Sequence, residues 1–178
     1  MGRSVASTLV APPHATSLMT PSDPLTAAQA LVSFIRESIP LTRTMGLELG
    51  GYDGERLVLN CPLAPNVNDK GCAFGGSLTS LMTLAGWGLV ELALRQRGED
   101  CDVYVGVSSV RYLDPVWSDF HAEAQRAEGA DWETFFATLA SRNRARISVA
   151  CQVPGQDGKP AAALEAQFVA KRRAAAAE

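Results

Sequence analysis

The residues able to do chemistry lie close together, in Asn66-Val67-Asn68-Asp69-Lys70-Gly71-Cys72-Ala73-Phe74-Gly75-Gly76-Ser77. Asp69 is the one carboxylate of this stretch, suited to act as general base or as nucleophile. Asn68, or alternatively Asn66, can hold a water or a carbonyl oxygen through its amide. Gly75 and Gly76 open a long apolar run. If that run is a helix, its first N–H groups have no partner within it and carry roughly half a positive charge. With no side chains at 75 and 76, a carbonyl can come close to that backbone, and Phe74 borders the approach. The chemistry so assembled is attack on a carbonyl beside donors for the oxyanion, and one such donor contributes about 2.7–4 kcal/mol in other enzymes. Each residue type also has a plainer use. Asx side chains in loops make turns and cap helices, paired glycines permit close helix packing, and Ser77 in the first turn either contacts a ligand or caps.

Other chemistries have less to work with. Cys72 stands just before the helix start, a setting that lowers a thiol pKa. No histidine is near it in sequence to serve as its base, and a small packed cysteine is the alternative. The only histidines are His14 and His121; neither accompanies a Gly-x-Ser-x-Gly elbow, so a serine triad is not expected. Cys61, Cys72, Cys101 and Cys151 form no C-x-x-C pair, so neither a zinc site nor a disulfide framework is expected, and no cofactor is implied. A net charge of −3 and a pI near 5.4 argue against a nucleic-acid partner.

These groups need a scaffold. The 178 residues suffice for one domain, expected over 24–173. Residues 1–23, rich in Ser, Thr, Ala and Pro, read as a disordered tail, and 174–178 as a frayed end. The apolar run from Val5 to Ala11 is too short and too diluted for a signal peptide, so a cytoplasmic location is expected. Leu78 to Leu94, interrupted by Glu91, is short for a bilayer, and no membrane partner is expected. Ser22-Asp23-Pro24 predicts a capped helix start, with Leu25, Ala28, Val32 and Ile35 on one face and Pro40 ending it. Leu47–Tyr52 and Arg56–Leu63 read as a hairpin turning at Asp53-Gly54. Phe74 to Leu94 is apolar on nearly every face, as in a helix surrounded by protein. Strands follow at Asp102–Leu113, where Val103, Val105 and Val107 alternate with Tyr104, Gly106 and Ser108, and at Phe120–Gln125, Ala145–Val153 and Ala162–Lys171. Between them Trp132, Phe135, Phe136 and Leu139 fit a helix capped by Asp131, while Thr134–Ser141 fits a strand equally well. The class is α+β: one long central helix wrapped by a curved antiparallel sheet.

Ala64-Pro65-Asn66-Val67-Asn68-Asp69-Lys70-Gly71-Cys72-Ala73-Phe74-Gly75-Gly76-Ser77-Leu78, then Leu84-Ala85-Gly86-Trp87-Gly88-Leu89 and Ser109-Val110-Arg111-Tyr112-Leu113-Asp114-Pro115, resemble the YiiD C-terminal putative thioesterase family. The resemblance spans about Leu25 to Arg172 and implies the hotdog fold and hydrolysis of an acyl-CoA or acyl-carrier-protein thioester. It implies a homodimer, or a dimer of dimers, with acyl sites between subunits. Ser108, Ser109, Arg111 and Tyr112 then lie near the subunit seam. Ser109 and Arg111 are taken as substrate-binding, Arg111 meeting either a phosphate of the substrate or, in a structural role, a loop carbonyl or Asp114. Many hotdog thioesterases have His-Gly-Gly where this chain has Phe74-Gly75-Gly76, and an acid one to two turns on, where this chain has Thr79, Ser80 and Thr83. A non-catalytic acyl-binding module is therefore the second reading. A dehydratase wants a histidine that the loop lacks. Leu81, Met82 and Trp87 either line an acyl tunnel or simply pack the core.

Overall fold

Pro24 opens α1 (Pro24–Ser38), its missing N–H being one a first helical turn leaves unbonded in any case. Ala28, Leu31, Val32 and Ile35 are buried, whereas Leu25, expected on the same face, is exposed. The Asp23 carboxylate makes no capping bond, and its backbone carbonyl accepts the Ala27 N–H. Pro40 does not merely end this helix. Ile39 is extended, and Pro40 begins a second one, α2 (Pro40–Met45), closed by Gly46 in the left-handed region at φ 71°. The computed structural model describes residues 23–155 and 157–174, so the expected tails lie, but for Asp23 and Ala174, outside the described residues.

β1 (Glu48–Tyr52) and β2 (Leu57–Cys61) form the expected hairpin. The Asp53 carboxylate holds its turn by accepting the N–H groups of Glu55 and Arg56 at 2.9 and 2.7 Å. Leu57, Leu59 and Cys61 are buried, and Leu63 falls beyond the strand. α3 (Gly75–Gln96) follows. By length and composition it could cross a membrane, yet it packs against five strands, with most of its surface inside the protein. Gly86 brings it close to the sheet: a Cβ there would stand 2.8 Å from the Phe168 ring.

The chain continues through β3 (Cys101–Tyr112), β4 (Phe120–Arg126), α4 (Trp132–Arg142), β5 (Arg144–Pro154) and β6 (Pro160–Arg172). All strand pairs are antiparallel, in the order β1-β2-β4-β5-β6-β3. The open choice at 132–142 resolves as helix for two local reasons. The Asp131 side chain accepts the Thr134 N–H at 2.7 Å, and Asn143 closes the far end in the left-handed region. Phe135 and Leu139 go into the core, while Trp132, Phe135 and Phe136 pack on one another.

Among the described residues β3 ends the sheet, paired with β6 on one side and unpaired on the other. It carries a bulge at Gly106, where pairing passes from Val105–Phe168 to Val107–Gln167. Beyond the bulge Ser108, Val110 and Tyr112 pair with the buried Ala166, Leu164 and Ala162, so they share the α3 side of the sheet. Val107, Ser109 and Arg111 turn to the outer face.

Candidate active site

The segment from Pro62 to Phe74 connects β2 to α3 and is tied down at both ends. A single 3₁₀ turn, Ala64–Asn66, buries Asn66 to 2% exposure. Its Nδ2 donates to the carbonyls of Met45 and Pro62 at 2.9 and 2.8 Å, and its own carbonyl accepts the Phe74 N–H at 2.7 Å. Because both side-chain partners are carbonyls, only the NH2 end of the amide can face them. Oδ1 is buried without a hydrogen-bond partner among the described residues. Asn66, expected to touch substrate, is thus a brace between α2, the exit of β2 and the start of α3. Asn66→Ala should leave two carbonyls short of a donor and destabilise the fold by about 2 kcal/mol, measured by urea unfolding.

Asn68 takes the turn-forming role. Its Oδ1 accepts the Lys70 N–H at 2.8 Å, its Nδ2 donates to the Cys72 Sγ at 3.1 Å, and its backbone N–H reaches the Cys72 carbonyl at 2.8 Å. Asp69 projects into solvent and, among the described residues, is held only by the neighbouring Lys70 ammonium, 2.9 Å away. A bridge between Val67 and Ala73 closes the loop, and the Ala73 N–H donates to the Val116 carbonyl. The loop therefore stands directly ahead of α3.

Phe74 is the last extended residue before α3, and its side chain makes no capping bond. Its carbonyl accepts both the Ser77 and Leu78 N–H groups, at 2.9 and 3.1 Å. The N–H groups of Gly75 and Gly76 have no acceptor among the described residues. They are two adjacent backbone donors at the positive end of a 22-residue helix. Two aromatic rings flank them. The half-exposed Phe74 ring lies across Gly76, where a Cβ would run into it, and the Tyr112 ring lies 3.2 Å from the position a Gly75 Cβ would take. The Tyr112 hydroxyl donates to the Gly75 carbonyl at 3.2 Å and is 2.5 Å from the Thr79 hydroxyl. The half-buried Ser77 hydroxyl makes no hydrogen bond among the described residues.

Asn68, Asp69, Phe74, Gly75, Gly76 and Ser77 thus belong to one loop and helix start. Ser109 and Arg111 do not join them within the protomer. They sit on the outer face, with Arg111 3.9 Å from Glu165. Tyr112 and Thr79, to which the sequence reading gave no site role, take the place beside the glycines. The cysteines offer no ready nucleophile away from this loop: burial pushes Cys61 and Cys151 up to about 12 and Cys101 up to about 11. Cys72 is buried, its sulfur accepting from Asn68. Glu91, the first acid along α3, is raised above the ordinary carboxylate range by burial and lies 3.5 Å from Arg95.

A long apolar helix held against a six-stranded antiparallel sheet is the hotdog fold, and several of the solved structures that share it are named as thioesterases. The chain belongs to the YiiD C-terminal putative thioesterase family, which it matches over residues 28–172. Among similar solved structures, a protein of unknown function from Chlorobaculum tepidum TLS is 29% identical, with a TM-score of 0.77, covering 82% of this chain and 94% of that one. A putative thioesterase from Shewanella oneidensis is 27% identical with a TM-score of 0.73, over 82% of this chain and 98% of the other. A Pseudomonas aeruginosa protein shares the fold at 21% identity and a TM-score of 0.68, over 83% and 95% of the two chains.

Proposed function

We propose that this protein hydrolyses an acyl thioester of coenzyme A or of an acyl carrier protein. The observation that carries the reading is the pair of unpartnered N–H groups of Gly75 and Gly76, with no side chain on either residue to keep a carbonyl away. The thioester carbonyl oxygen rests on these donors, which strengthen their hold as the oxygen becomes an oxyanion. Asp69, on the loop directly ahead of the helix, takes a proton from the attacking water, and Asn68 holds that loop in its turn. The water oxygen bonds to the carbonyl carbon, and the tetrahedral intermediate then expels the thiolate, which leaves as free thiol after taking up the proton. A second copy of the chain completes the assembly along β3, whose outer edge, unpaired among the described residues, exposes Tyr104, Val105 and Val107.

Two observations favour a second reading, a non-catalytic acyl-binding module: Asp69 is paired with Lys70 in solvent, and Phe74 covers Gly76 in place of an acid–base group. Thiol release from a panel of short, long and aryl acyl-CoAs, followed with a disulfide dye, separates the two. Turnover on at least one member is expected. Silence across the panel, together with a melting temperature raised by acyl-CoA, would establish the binding module instead.

A further inference from the structure

We propose that Tyr112, assisted by Thr79, is a positioning residue for the Gly76 oxyanion donor; the proposal rests on the thioesterase reading above. The direction of the hydrogen bonds follows from the groups involved. The Gly75 carbonyl can only accept, so the single hydroxyl hydrogen of Tyr112 goes to it, over 3.2 Å. The Thr79 hydroxyl, 2.5 Å from the Tyr112 oxygen, must then be the donor of that pair. A relay results: Thr79 donates to Tyr112, and Tyr112 donates to the Gly75 carbonyl.

The Gly75 carbonyl and the Gly76 N–H belong to one planar peptide unit. Fixing the oxygen therefore fixes the direction in which the Gly76 hydrogen points, on the other edge of the plane. A hydrogen bond accepted by the carbonyl also draws electron density toward oxygen and makes the attached N–H a stronger donor, and the relay from Thr79 reinforces this. Tyr112 is well placed to hold the plane still. It is the final residue of β3, in register with the fully buried Ala162, and the next residue, Leu113, donates its N–H to Ala161 at 2.8 Å. Gly75 permits the contact, since even a methyl group there would press on the tyrosine ring at 3.2 Å.

Tyr112→Phe keeps the ring and removes only the hydroxyl. With the acyl-CoA that turns over best, kcat should fall about fivefold while KM stays within twofold, because the donor matters most once charge has developed on oxygen. Thr79→Val should lower kcat in the same sense, the double variant should be no slower than Tyr112→Phe alone, and Thr79→Ser should restore the rate. The amide proton resonance of Gly76 should move upfield in Tyr112→Phe, a readout independent of turnover. A purely packing role would lower the melting temperature and leave both kcat and this resonance in place. Wild-type turnover with an unchanged kcat in Tyr112→Phe overturns the positioning role and leaves the thioesterase reading standing. A wild-type protein that releases no thiol from any thioester overturns both.

Discussion

Gly76→Val should lower thioester turnover at least a hundredfold in a protein that still folds. A Cβ at this position runs into the ring of Phe74, a half-exposed side chain with room to swing away. The cost to the fold is small, since a β-branched residue in place of glycine is no worse a helix former and the site is only partly buried. The cost to chemistry is larger. Two methyl groups and a displaced phenyl ring would stand over the donors, and losing a single oxyanion donor lowers kcat by roughly 10²–10³. Steady-state thiol release and far-UV circular dichroism, measured together, decide the matter. A folded variant with normal activity would remove the helix start from the mechanism.

The second large effect is expected at Asp69. Asp69→Asn keeps the shape and removes the base, so turnover should drop at least tenfold, within the range that general-base catalysis contributes. Stability should hardly change, because the side chain is 78% exposed and its ion pair with Lys70 is of the surface kind that adds little. The same weakness leaves the carboxylate free to exchange the lysine for a water at the substrate. Equal rates for wild type and Asp69→Asn would exclude this carboxylate and shift the weight toward acyl binding without hydrolysis.

Most of the architecture was legible because local signals agreed with one another. The alternation of Leu57, Leu59 and Cys61 and the Asp53-Gly54 turn both pointed to one hairpin. The long apolar run from Phe74 had no polar face on which to lie at the surface. The segment around Thr134 was ambiguous, and the capping bond from Asp131 decided it. The candidate site was harder to read. Strict alternation from Val103 and Val105 places Ser109 and Arg111 on the α3 side of β3. The extra residue at Gly106 reverses that parity and brings in Ser108, Val110 and Tyr112 instead. A glycine inside a strand was the available warning. Asn66 and Asn68 were recognisable as Asx residues with two possible uses. Which use each has depends on Met45 and Pro62 for Asn66 and on Cys72 for Asn68, partners that no local pattern names.

The strand order has a bearing on how the protein is made. β3 leaves the ribosome well before β6, yet among the described residues β6 is its only partner in the sheet. Its backbone groups must therefore wait, unpaired, through the synthesis of about fifty more residues. Tyr112 has no settled strand beneath it during that interval, so the relay to Gly75 is among the last contacts to form. An incomplete chain lacking β6 would present both edges of β3 to its neighbours, together with Tyr104, Val105 and Val107, and so be prone to aggregate before it could ever bind a ligand.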